Sequence, residues 1–153
     1  MNGILDTSVF IAREDQRPLN EEQLPSNAAI SVVTIAELKL GVARAKTPEA
    51  AAAREITLNE ALGIARVPIN TEIALTFADL AATLSPGRTR TNVQDLWIAA
   101  TAHAFNVPVY TAQCSGRCQE PPSADVRPNF EPPFMQLEGE FGRVRKTEQS
   151  LHW

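Results

Sequence analysis

The spacing of apolar positions changes several times along the chain, and each change marks an element. Residues Asn2-Gly3-Ile4-Leu5 form an apolar run too short for a helix, and after Asp6-Thr7-Ser8 the spacing turns helical with Val9, Phe10 and Ala12. The pattern predicts a buried strand that ends at a carboxylate and leads into a helix. From Arg13 to Asn27 the chain is polar and punctuated by Pro18, Pro25 and Ser26, as in a connection. Ala28 to Val32 predicts a second buried strand, Thr34 a cap, and Ile35 to Ala45 a helix. Pro48 suits the first turn of a third helix, which Ala50 to Ala53 and then Ile56, Leu58, Leu62 and Ile64 continue. Arg66 to Ile69 is extended. Thr71 to Leu84 is amphipathic, with Ile73, Phe77, Leu80, Ala81 and Leu84 on one side, and Ser85-Pro86-Gly87 stops it. A small basic loop, Arg88-Thr89-Arg90-Thr91, precedes the N-cap Asn92 and a helix from Val93 to Phe105 that is apolar on most faces. Asn106 ends that helix, and Val107 to Thr111 predicts another strand.

Strands that alternate with helices argue for an α/β fold, a parallel sheet covered by helices on both faces. From Ala112 onward the character changes: Gln113 to Glu131 carries Cys, Ser, Gly, Arg and several prolines with no apolar period, and the remainder scatters apolar residues among charges. Such composition buries too little surface to offset ordering entropy. The expectation is a folded domain over 1–111 and a largely irregular, weakly docked tail over 112–153.

A length of 153 residues fits one domain with a proper core. The net charge of −4 offers no broad basic surface, so a nucleic acid substrate would need a local site that overcomes the global field. No run is long and apolar enough to span a bilayer, and the amino terminus lacks a basic region before an apolar core. A cytoplasmic protein with no membrane association is expected. Cys114 and Cys118 are too few for a disulfide scaffold and lack the further ligands of a structural zinc site, so they read as reduced thiols.

The candidate chemistry lies in three acids. Asp6 ends the first strand, Glu37 sits in the helix after the second, and Asp95 lies in the first turn of the helix before the last. Plainer roles exist for each: Asp6 as a helix cap, Glu37 as a solvated helix residue, Asp95 as a first-turn acid complementing the helix dipole. Their apolar flanks, Ala36, Leu38 and Leu40 around Glu37 and Leu96, Trp97 and Ile98 beside Asp95, favour a site, and Gly41 leaves room above the backbone. Two carboxylates about 4 Å apart repel by roughly 4 kcal/mol at an effective dielectric near 20. Protons or a cation must therefore settle such a cluster. Oxygen ligands without His or Cys favour Mg²⁺ or Mn²⁺ over zinc.

Three stretches, Ile4-Leu5-Asp6-Thr7-Ser8, Thr34-Ile35-Ala36-Glu37-Leu38 with Gly41, and Asp95-Leu96-Trp97-Ile98-Ala99-Ala100-Thr101-Ala102, resemble the successive acidic motifs of PIN-domain proteins. Within that family the chain is most similar to VapC-type toxins of type II toxin–antitoxin modules, over the stretch from its start to about Thr111. The resemblance implies a PIN-like three-layer α/β/α sandwich, an Mg²⁺- or Mn²⁺-dependent endoribonuclease, a homodimer and a cognate VapB-type antitoxin that also binds operator DNA. It also implies that Asp6, Glu37 and Asp95 are metal ligands, with Thr7 or Ser8 supporting the site. Arg88 and Arg90, just before the Asp95 helix, are candidates for phosphate contacts or a solvated turn.

The departure lies after Thr111. Such proteins follow that strand with a further acid and a closing strand, whereas here Ala112-Gln113-Cys114-Ser115-Gly116-Arg117-Cys118 carries no acid before Glu120. Asp125 is poorly spaced to substitute. A slipped reading frame near residue 112 accounts for the pattern: one codon choice for Cys114 to Cys118, TGC AGC GGA CGA TGT, reads Ala-Ala-Asp-Asp one nucleotide later. Loss of the last strand and impaired activity are then expected. The alternative is a catalytically inactive PIN-like protein that acts only through antitoxin or dimer binding; a phosphoacceptor domain built on Asp6 ranks behind both. Lys39 and Arg44 read as surface charges or antitoxin contacts, the run Arg143, Arg145, Lys146 as a solvated tail, His103 as a packed or partly exposed helix residue, and Trp97 as core.

Overall fold

Alternation along the first strand organises the layers. In the computed structural model, which describes residues 2–84, 92–112 and 135–136, Asn2–Leu5 forms β1. Ile4 and Leu5 are both fully buried, and because successive strand side chains point to opposite faces they enter different cores. β1 pairs in parallel with Asn27–Ser31 (β2) on one side. Ala65–Val67 (β3) joins β2 in parallel, and Val109–Tyr110 (β4) lies parallel to β1 on its other side, so the order is β3-β2-β1-β4.

Ile4 shares its face with Ala29, Val67, Ile73, Ile98 and Phe105; Leu5 shares the other with Phe10, Ala28, Ile30, Leu58 and Tyr110. Helices Thr7–Glu14 (α1), Val32–Ala43 (α2) and Pro48–Leu62 (α3) cover the Leu5 face, and Thr71–Thr83 (α4) and Val93–Ala104 (α5) cover the Ile4 face. The result is the expected PIN-like α/β/α sandwich. Trp97 of α5 stacks on Phe77 of α4 at 3.9 Å between ring centroids, so its place is in the packing of these two helices. Among the described residues no helix is long and apolar enough to cross a membrane.

Local chemistry sets most element ends. Ser31, not Thr34, caps α2: its hydroxyl accepts from the Val33 N–H at 3.3 Å, and the helix starts at Val32, a residue expected in the strand. Thr34 lies instead inside the first turn, fully buried. Thr47 caps α3 ahead of Pro48, Asn70 caps α4 and Asn92 caps α5. At the far end of α5, Asn106 has φ 51°, and its own N–H and that of Val107 return to the carbonyls of His103 and Ala102, a Schellman closure. The end of α1 has the same form, with Gln16 at φ 53° and bonds from Gln16 and Arg17 to Arg13 and Ala12.

The tail contributes one unanticipated element. Met135–Gln136 (β5) pairs antiparallel with the start of β2, at Ala28 and Asn27, although no strand signal marks it in the sequence. Among the described residues no strand lies beyond β4. Cys114, Cys118, Asp125 and the basic run Arg143, Arg145 and Lys146 fall outside them.

Two substitutions test these packing and capping arguments by chemical denaturation. A Cβ on Gly3 would lie 2.6 Å from Cδ2 of the buried Tyr110 ring and 3.3 Å from the Pro108 carbonyl oxygen, so Gly3→Ala is expected to cost about 1–3 kcal/mol. Gln16→Gly relieves the left-handed strain of a side-chain-bearing residue and is expected to add about 1 kcal/mol. Unchanged stability in either variant contradicts the corresponding account.

Candidate active site

The site begins where β1 stops. Asp6 continues the ladder by one bond, its N–H donating to the Tyr110 carbonyl at 2.9 Å, and its side chain then turns to cap α1. The Ser8 N–H donates to Asp6 Oδ2 at 3.3 Å and the Ser8 hydroxyl donates to the same oxygen at 2.5 Å. Capping and site membership are thus compatible for Asp6, because both bonds fall on one carboxylate oxygen and Oδ1 takes no part in the cap. An acid at this point also sits outside the carboxyl end of a central parallel strand, where ligands of open α/β sheets bind.

Glu37 reaches the same region from α2. The Thr7 hydroxyl, at the first position of α1, donates to Glu37 Oε2 at 2.5 Å and ties the two helices together beside Asp6. Glu37 is half-buried, and its carboxyl is pushed above the usual range first by lost hydration and then by the charges of Asp6 and Asp95; the Thr7 hydrogen bond opposes this. Asp95 is raised as well, again first by lost hydration and next by the charge of Asp6, against a weakly lowering bond from the Asn92 amide at 3.4 Å. These couplings place the three expected acids in one electrostatic neighbourhood, drawn from three separate elements.

Two expectations about their surroundings need correction. Asp95 is exposed: Ile98 is buried one turn further on, but Leu96 and Trp97 are only half-buried, so the apolar flank in sequence lies on another side of the helix. Gly41 makes no room at the site. It faces α3, where the Arg54 guanidinium donates to the Gly41 carbonyl at 2.6 Å and a Cβ on Gly41 would meet only Arg54 Cδ at 3.9 Å. Lys39 and Arg44 are exposed and His103 is half-buried, as expected; Arg88 and Arg90 lie outside the described residues.

Other participants carried no signal of their own in the sequence. Thr111 lies just past β4, with its hydroxyl 2.9 Å from Ser8 Oγ, and the Ala112 N–H donates to Ser8 Oγ at 3.1 Å. Deeper in, the Thr101 hydroxyl of α5 is 3.3 Å from the Ser31 hydroxyl that caps α2 and also donates to the Trp97 carbonyl at 2.8 Å. Both are small hydroxyl residues at element ends or in a helix, where they usually serve the backbone alone.

The donor set is all oxygen, which suits a hard cation. Among the described residues, however, no group of three or more Asp, Glu, His or Cys side chains is drawn close enough to form a ready ligand cage. The acids share a field rather than a cage. A cage is not required for an ion of the Mg²⁺ kind, which keeps several waters and takes only one or two carboxylates directly.

With this geometry in hand, the likeness to known proteins is specific. The PIN domain family model matches residues 3–112, ending at the segment that meets Ser8. Ribonuclease VapC5 of Mycobacterium tuberculosis is 41% identical over 109 residues, covering 71% of this chain and 81% of that protein. Ribonuclease VapC8 of the same species is 38% identical over 102 residues, covering 65% of this chain and 89% of that protein. Among solved structures, VapBC-5 of Mycobacterium tuberculosis superposes with a TM-score of 0.66 at 38% identity, over 74% of this chain and 86% of that one. VapBC-1 of nontypeable Haemophilus influenzae superposes with a TM-score of 0.56 at 29% identity, over 74% and 87%. By the family model, the identity to its relatives and the shared fold, this chain belongs to the PIN-domain family, in the VapC group.

Proposed function

We propose that the chain is an RNA-hydrolysing toxin that uses Mg²⁺ or Mn²⁺ and is neutralised by a small VapB-type antitoxin. The observation that carries this reading is the shared field of Asp6, Glu37 and Asp95 at the carboxyl end of β1, a charge arrangement that costs stability unless a cation occupies it. The names of its relatives support the substrate class, since VapC5 and VapC8 are ribonucleases and the related structures are of VapBC toxin–antitoxin systems. We also propose a homodimer, a cytoplasmic location, and a catalytic unit spanning 1–111 with 112–153 as its appendage.

In this reading the chain's residues bind and orient. Asp6, Glu37 and Asp95 would hold the ion, one or two of them directly and the rest through its waters; Thr7 fixes Glu37 Oε2 and Ser8 fixes Asp6 Oδ2, so the two acids keep their aim without substrate. The chemistry supplied at these carboxylates by a divalent ion would be a water of lowered pKa for attack on a phosphodiester and charge to offset that of the leaving oxygen. Arg88 and Arg90, on the chain segment leading into α5, are assigned to phosphate oxygens and offset the unfavourable net charge locally. A second reading, an inactive protein that only engages antitoxin or its own copy, draws on the absence of a ready cage among the described residues and of an acid between Thr111 and Glu120.

Cleavage of a structured RNA with Mn²⁺ decides between them. Cleavage that Asp6→Asn lowers at least about 100-fold, while Asn keeps the α1 cap, supports the first reading. No metal-dependent cleavage with antitoxin binding intact supports the second.

The charge cluster also fixes a pH dependence. Glu37 and Asp95 are raised, so between their ordinary values and their raised ones the folded chain holds protons that the unfolded chain has lost. Metal-free stability therefore falls as pH rises through that window, and the full penalty stands above it. Denaturation in EDTA across that window is expected to show this fall in the wild type and a shallower one in Glu37→Gln. A slope that Glu37→Gln leaves unchanged argues against the cluster as its source.

A further inference from the structure

We infer that Ser8 is a positioning residue through which the end of β4, at Thr111 and Ala112, sets the aim of Asp6. The inference rests on the reading of Asp6 as a metal ligand only for its effect on metal affinity; the positioning itself is a matter of hydrogen bonds present without metal.

The Ser8 side chain is buried, and its oxygen has three neighbours: Asp6 Oδ2 at 2.5 Å, Thr111 Oγ1 at 2.9 Å and the Ala112 nitrogen at 3.1 Å. A hydroxyl has one proton to donate and two lone pairs to accept with. The carboxylate oxygen accepts, so the Ser8 proton goes to Asp6. The Ala112 N–H donates into one lone pair, and the Thr111 hydroxyl must donate into the other. The chain of bonds then runs one way, Thr111 O–H to Ser8 O–H to Asp6 Oδ2, with the Ala112 N–H feeding the same oxygen. Aligned bonds of this kind polarise one another and fix the acceptor's orientation.

The Ser8 hydroxyl is therefore spent within the protein, which removes it from direct substrate contact and makes it the link between Asp6 and the segment just past β4, 103 residues after Ser8 in sequence. The backbone supports the same link, since the Asp6 N–H donates to the carbonyl of Tyr110, the residue before Thr111. Asp6 is thus held from β4 twice, at its main chain directly and at its carboxylate through Ser8. Residues 111 and 112 also lie where the family match ends, so any change in how the following chain leaves β4 is transmitted to Asp6 by this route.

The test uses the full chain, labelled with ¹³C at the aspartate side-chain carboxyls, at one fixed pH and free of metal; Asp6→Asn assigns the Asp6 resonance. Mn²⁺ affinity is read separately by electron paramagnetic resonance. Ser8→Ala and Thr111→Val are each expected to move the Asp6 resonance and to weaken Mn²⁺ binding about 10-fold, whereas Thr111→Ser, which keeps the hydroxyl, stays at wild type in both. Thr111→Val preserves shape, so it carries the test if Ser8→Ala fails to fold. An Asp6 resonance unmoved by Thr111→Val overturns the inference, as does a Thr111→Ser variant that loses as much as Thr111→Val. A resonance that moves in a protein binding no Mn²⁺ upholds the positioning and refutes the metal-dependent reading instead.

Discussion

Parallel pairing of β1 on both of its edges is the constraint from which the rest follows. With β2 on one side and β4 on the other, β1 has no freedom to slide without exposing Ile4 or Leu5, each wholly buried in a different core. Burial of each such side chain contributes about 1.5–3 kcal/mol, and a shift by one residue would exchange the two faces. The register therefore fixes where β1 ends, and with it the position of the Asp6 carboxylate. Gly3 belongs to the same constraint, because the Tyr110 ring of β4 occupies the space that any side chain there would need.

The acids are placed by structural devices that serve two purposes. Asp6 caps α1 and adds its charge to the surroundings of Glu37 and Asp95; Thr7 opens α1 and holds Glu37; Asn92 caps α5 and donates to Asp95. Helix starts that follow strand ends are natural places for this economy, since their free N–H groups already demand side-chain oxygen atoms. The helix N-terminus also favours negative charge, which offsets part of the repulsion that collecting carboxylates creates.

That repulsion gives the fold a local weakness where function would sit. Lost hydration and neighbouring charge raise both Glu37 and Asp95, so the metal-free chain carries an electrostatic cost that a divalent ion would remove. The buried Thr7 hydroxyl acts in the opposite sense, lowering Glu37.

The amino-acid sequence by itself determined the alternation of strands and helices, the Asn92 cap and the helix start at Pro48, because periodicity, capping and apolar runs are local properties. It misjudged the start of α2, where Ser31 and Thr34 compete as caps of similar chemistry and only the pairing of β2 through Ser31 with Val67 of β3 decides which residue is last in the strand. It likewise could not tell that Gly41 faces Arg54, that Asp95 lies exposed, or that Met135–Gln136 returns to β2. Only the tertiary structure brought Thr111 and Ala112 to Ser8, and Thr7 to Glu37, since the direction of a short hydroxyl side chain depends on which distant strand or helix lies within about 3 Å of it.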